Sequence, residues 1–124
     1  MVGKRILMRP VWQFELVRDT NAPFQLVRNA LLDGASYHRW HPRCRRADPQ
    51  IVEDGERFVA SCRFNRLGIE EDAWYTVEKQ ESRLLLTYRN RFKGWPVIFL
   101  MGWWRIRSER VWERLIESLN IVEN

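Results

Sequence analysis

Residues 19–42 read DTNAPFQLVRNALLDGASYHRWHP, and the order of signals in this stretch decides the fold. Asp19 ends an alternating segment. Thr20 or Asn21 supplies a helix N-cap, and Pro23 falls in the first turn, where its missing N–H costs nothing. Phe24, Val27 and Leu31 follow at helical spacing on one face. Asp33-Gly34 stops the helix, since glycine tolerates a left-handed C-terminal position. Ser36 caps a second helix of one or two turns through Trp40. Pro42 closes it, because the residue before proline avoids the α region.

On the N-terminal side, residues 10–19 alternate. Trp12, Phe14 and Leu16 share one face, with Gln13, Glu15 and Val17 opposite, as in a half-buried strand. On the C-terminal side, residues 48–53 form a short strand closed by Asp54-Gly55. From Glu56 the period is two: Phe58, Ala60, Cys62 and Phe64 share a face. Asn65 to Gly68 is a turn. The next strand, residues 69–78, sets Ala73, Tyr75 and Val77 opposite Trp74, Thr76 and Glu78. After a polar turn, residues 83–92 set Leu84, Leu86 and Tyr88 opposite Leu85, Thr87 and Arg89. Short turns between consecutive strands predict an antiparallel meander.

After Gly94-Trp95-Pro96 the period returns to 3.6. Val97, Met101, Trp104, Ser108, Val111, Trp112, Leu115 and Leu119 form a stripe along one long helix. Arg105, Arg107, Arg110, Glu113, Arg114 and Glu117 take its solvent side. Arg105–Glu109 and Arg110–Glu113 have the spacing of supporting ion pairs. The fold class is therefore α+β: a curved antiparallel sheet, two short helices, and a long C-terminal helix on the concave face.

With 124 residues the chain reads as one domain, 1–124, large enough to bury a single core without staples. The formal net charge is +5, with 18 Arg against 3 Lys. Arginine forks suit phosphate or carboxylate, but these are spread along the chain, as a general compositional bias would leave them. The N-terminal MVGKRILMRPVW lacks an apolar core of the secretory kind, so a cytoplasmic location with reduced Cys44 and Cys62 is expected. The uncharged run Gly94–Trp104 is too short to cross a bilayer, so no stable membrane insertion is expected.

The chain resembles the START-like, helix-grip superfamily, which groups Bet v 1-like proteins, polyketide cyclase/dehydrases and lipid-transfer proteins. The residues that carry the resemblance are Asp19 to Pro23, the helix to Leu32-Asp33, the corner Trp40-His41-Pro42, Asp54-Gly55 before a strand, and the final RSERVWERLIESL. The resemblance implies an apolar cavity between sheet and gripping helix. Family members usually have seven strands. Only a few residues separate Phe92 from the final helix here, which predicts about five, with seven as the upper bound. A shortened sheet exposes an edge, and homodimerisation or the aromatic run at 95–104 would cover it.

His38, His41 and Cys44 are metal-capable, but Pro42 interrupts their spacing and no fourth ligand is evident, so no metal is expected. No cofactor is implied. Cys44 lies among Arg39, Arg43, Arg45 and Arg46, which favour a thiolate, yet only His41 is near as a base. That basic cluster reads as a solvated turn or an anion contact. No nucleic-acid partner is expected, because aromatics are not interleaved as a stacking platform requires. Trp12, Trp74 and Trp112 fit core or cavity-wall positions, and core use is also preferred for Trp95, Trp103 and Trp104 over a membrane-interface role. The ligand-binding candidates are Phe14, Phe58, Ala60, Cys62, Tyr75, Leu86, Tyr88, Met101 and Trp104. No catalytic set is recognisable. The leading expectation is a binder of an apolar or aromatic small molecule. The alternatives are a cyclase/dehydratase-type enzyme using a cavity Tyr, His41 or an Arg, and a ligand-free dimeric interaction module.

Overall fold

A computed structural model describes residues 11–41, 46–66, 68–95 and 97–119, without the side chains of 66, 97–101 and 104. Its elements run β1 (Val11–Thr20), α1 (Phe24–Leu32), a 3-10 helix (Gly34–Arg39), β2 (Gln50–Asp54), β3 (Arg57–Arg66), β4 (Ile69–Lys79), β5 (Leu84–Lys93), α2 (Val97–Ser108) and α3 (Val111–Ser118). The five strands form one antiparallel sheet in the order β1-β5-β4-β3-β2. The expected shortened sheet is therefore present. β1 closes directly on β5, and β1 and β2 are its two edges.

Strand parity follows the sequence. Cross-strand partners line up in rows over the concave face. One row is Leu16, Tyr88, Tyr75 and Ala60, and a second is Phe14, Asn90, Ala73 and Cys62. A third is Trp12, Phe92, Glu71 and Phe64, and a fourth is Arg18, Leu86, Val77 and Phe58. Val27 and Leu31 of α1 and Val111, Trp112, Leu115 and Ile116 of α3 are buried in the same core. Each such large side chain contributes roughly 1.5–3 kcal/mol on burial.

The termini of α1 differ from expectation. Pro23 is the N-cap, with extended backbone and no side-chain cap bond. Thr20 Oγ1 instead accepts a hydrogen bond from the Ala22 N–H at 3.1 Å, shaping the corner before the helix. Gly34 has no positive φ; it is required by close approach. A Cβ there would run into the Ala47 carbonyl oxygen, while the Ala47 N–H donates to the Gly34 carbonyl at 3.0 Å. Ser36 lies inside the 3-10 helix, and its hydroxyl donates to the Asp33 carbonyl at 3.0 Å.

The expected single long helix is two. Glu109 N–H donates to the Ile106 carbonyl at 3.3 Å, and Arg110 leaves helical geometry at φ −103 and ψ 20. No proline or glycine marks the break. Its only sequence sign is the buried Ser108, a residue type whose hydroxyl competes with helical bonding. The ion pairs at these positions are Arg110–Glu117 at 3.3 Å and Arg18–Glu113 at 2.9 Å, the second tying α3 to β1. Trp112 Nε1 adds a bond to the Leu16 carbonyl at 3.1 Å.

Arg28 joins α1 to the end of β2 through a two-pronged pair with Asp54, Nε–Oδ1 3.0 Å and Nη2–Oδ2 2.6 Å. This hydrogen bonding holds the Asp54 carboxyl below its ordinary value. The stabilisation is thus present above the unfolded-state Asp range and is lost as pH falls through the lowered value. Asp54→Asn should flatten that part of the stability–pH curve, measured by urea unfolding from about pH 5 down to about pH 2. Gly34→Ala should cost roughly 1–3 kcal/mol in the same assay at neutral pH, because backbone must shift to admit the methyl group.

Candidate functional site

The concave face is aromatic at its centre. Tyr75 and Tyr88, cross-strand neighbours, stack at 4.9 Å with planes 4° apart. Tyr37 and Trp40, from the corner predicted in the sequence, meet at 4.6 Å and stand edge-on to Tyr75 at 6.2 and 5.8 Å. Trp112 of α3 reaches Tyr75 at 6.0 Å. His41 is buried against Tyr37, Trp40, Phe64 and Tyr88. The Tyr37 hydroxyl donates to the Leu31 carbonyl at 2.6 Å, fixing the 3-10 helix to the end of α1.

A polar trio is set into this apolar face. The Tyr88 hydroxyl donates to Glu71 Oε2 at 3.0 Å, and Asn90 Nδ2 donates to the same oxygen at 3.2 Å and to the Tyr88 hydroxyl at 2.9 Å. Glu71 is 4% exposed, and Tyr88 and Asn90 are fully buried. Among the described residues the Tyr75 hydroxyl, Trp40 Nε1 and Asn90 Oδ1 are buried without a hydrogen-bond partner. Burial, then the nearby Tyr88, Tyr37, Cys62 and Glu71, push the Tyr75 phenol well above its usual range, so it stays a neutral O–H. The face thus combines broad aromatic surface with two unused donors, one unused acceptor and a carboxylate.

Of the residues expected to bind ligand, Phe14, Phe58, Ala60, Cys62, Tyr75, Leu86 and Tyr88 all lie buried on this face. Cys62 is a buried thiol 3.7 Å from the Tyr37 hydroxyl. The side chains of Met101 and Trp104 lie outside the described residues. Glu71 and Asn90 were missed, although parity marks both: Glu71 is two before Ala73, and Asn90 two after Tyr88. His38 is exposed beside the Ala35 carbonyl, whereas His41 points into the core, so the two do not converge. Cys44, Arg43 and Arg45 lie outside the described residues, and Arg39 and Arg46 are exposed.

The tryptophans correct the expectation of core use. Trp112 is core, but Trp12 is 40% exposed at the start of edge strand β1. Trp74 is on the convex face with the Arg89 guanidinium 5.3 Å above it. Trp95 and Trp103 face solvent, and Trp104 lies outside the described side chains. The same convex side carries an open groove of about 450 Å³ between Asp48, Gln50, Ser61, Arg63, Asp72 and Trp74. Its lining mixes the Trp74 ring with polar side chains, and Arg63 is already paired with Asp72 at 3.0 Å.

Solved structures share this fold. The Mll3558 protein from Rhizobium loti matches with a TM-score of 0.64 at 13% identity, covering 89% of this chain and 98% of its own. The hypothetical protein jhp0584 from Helicobacter pylori matches with a TM-score of 0.57 at 13% identity, covering 90% and 86%. The di-domain ARO/CYC StfQ of the steffimycin biosynthetic pathway matches with a TM-score of 0.53 at 7% identity, covering 95% of this chain and 51% of its own. The fold is helix-grip. No family model and no curated protein matches the sequence. Among the described residues no strand lies between β5 and the C-terminal helices, where the resemblance led two to be expected, and α3 is the one of these helices whose described side chains pack into the core.

Tyr75→Phe removes a buried hydroxyl that has no described partner. It should leave stability unchanged or raise it by up to about 1 kcal/mol. Tyr88→Phe deprives a buried carboxylate of a donor and should cost roughly 1.5–3 kcal/mol. Thermal and urea unfolding of the two variants side by side checks the contrast.

Proposed function

We propose that this helix-grip chain binds a small, largely planar apolar molecule bearing one hydrogen-bonding group, between the concave face of the sheet and its helices. Phe14, Phe58, Ala60, Cys62, Leu86 and Tyr88 supply the apolar lining, joined by Met101 and Trp104. Tyr75 and Trp40 supply donors.

The polar trio Glu71–Tyr88–Asn90 beside the unpartnered Tyr75 hydroxyl carries this reading. A face needed only for packing is better filled with Phe and Leu, because each buried polar group without a partner costs about 1–3 kcal/mol. A ligand carbonyl or hydroxyl placed at Tyr75 would recover that cost. Aromatic walls with a few convergent polar groups are the usual make-up of a small-molecule site.

The trio also favours a second reading, an enzyme of the cyclase/dehydratase kind. Glu71 would take a proton from carbon, and a tyrosine hydroxyl would polarise the neighbouring carbonyl. The structural neighbour StfQ is an ARO/CYC by name, which is compatible with it.

Native mass spectrometry of protein purified without denaturation should show a small bound mass. Calorimetry should show 2-naphthol binding more tightly than naphthalene. Tyr75→Phe should erase that preference by about tenfold, the value of one good hydrogen bond, without loss of stability. Equal affinity for the two probes in wild type and variant would remove the proposal.

A further inference from the structure

Helix α2 has an exposed side. Among its described side chains only Ser108 is buried, while Gly102, Trp103, Arg105, Ile106 and Arg107 face solvent. Trp103 and Ile106 are 55% and 68% exposed. Positions 103, 106 and 107 are three and four apart and share one helix face. The Arg107 guanidinium lies 4.8 Å from the Trp103 ring, so cation and indole form one surface unit.

This face continues onto the sheet. Trp95 is 60% exposed just before the helix, and Trp12 is 40% exposed at the start of β1. Register sets Trp12 opposite Phe92. These residues therefore gather at the corner where β1 starts, β5 ends and α2 begins. The Arg105 guanidinium, 5.7 Å from the Phe14 ring, ties the helix to that corner. Large apolar residues exposed singly need no explanation, but four of them at one corner do.

Charge narrows the partner. The helix from Val97 to Ser108 has no Asp or Glu and carries Arg105 and Arg107, and Lys93 ends β5 beside it, opposite Glu70. Glu109 and Glu113 lie beyond the helix. Tryptophan interleaved with arginine on a short helix is complementary to an anionic lipid surface. Indole settles at the headgroup boundary, and guanidinium pairs with phosphate oxygens. At twelve residues α2 is too short to span, and among the described residues no helix is long and apolar enough to cross a membrane.

We propose that α2, with Trp95 and the start of β1, is a docking face for anionic membrane surfaces. Trp95, Trp103 and Ile106 lie in the interface, and Arg105 and Arg107 engage the phosphates. The contact is reversible and salt-sensitive, and Trp95, Trp103, Ile106, Arg105 and Arg107 are not among the ligand-binding candidates of the concave face.

The full chain should float with vesicles of phosphatidylcholine containing one-third phosphatidylglycerol, but not with phosphatidylcholine alone. Raising salt to about 0.5 M should release it. Trp103→Ser with Ile106→Ser should weaken flotation at least about tenfold. Both residues are exposed, so circular dichroism and melting should stay unchanged. Arg105→Gln with Arg107→Gln should weaken it roughly fivefold per charge at low salt, and the corresponding lysine variants should retain it. Flotation that is absent, indifferent to lipid charge, or unchanged in the Trp103/Ile106 variant overturns the proposal. So does light scattering in which that variant turns a dimer into a monomer, since the face would then belong to a second copy.

Discussion

Tyr75 is the contact on which the layers depend. It stacks on Tyr88 within the sheet, and Tyr37, Trp40 and Trp112 meet it edge-on from the 3-10 helix, the corner and α3. One side chain thus sets the spacing between β4 and β5 and the height of both helical segments above them. Aromatic pairs in stacked or edge-on geometry add about 0.5–1.5 kcal/mol each beyond burial, so this column contributes orientation as well as area. The same burial keeps its hydroxyl neutral, which makes Tyr75 a structural post and a hydrogen-bond donor at once.

What the sequence disclosed follows from periodicity. Strand parity placed Phe58, Ala60, Cys62, Tyr75, Leu86 and Tyr88 on one face, because a one-residue slip would turn every core side chain to solvent. The stretch from Asp19 to Trp40 disclosed the helix and the corner through cap, stop and turn residues. Parity equally marks Glu71 and Asn90, but a charge and an amide in apolar rows have no visible partner in the sequence. They gain their place from each other and from Tyr88, a relation between two strands that linear spacing does not carry.

Other features depend on three-dimensional proximity. Gly34 looks like a helix stop, yet its necessity comes from Ala47, a partner thirteen residues on. The helix break at Glu109-Arg110 lacks proline and glycine, and the 3.6 period runs through it without interruption. The tryptophans at 95 and 103 fit an apolar helix in sequence. They lie outside, a matter of how the helix is placed on the sheet that composition does not carry.

Direct pairing of β1 with β5 has a consequence for how the chain folds. β2 to β5 are joined by short hairpins and form from local contacts. Every β1–β5 partner pair is more than sixty residues apart, so that ladder must close a long loop before it gains any contact. β1 is then held from the far end of the chain, by Trp112 on the Leu16 carbonyl and by Glu113 on Arg18. β1 and α3 are therefore one cooperative unit. The aromatic face stays unsealed until α3 docks.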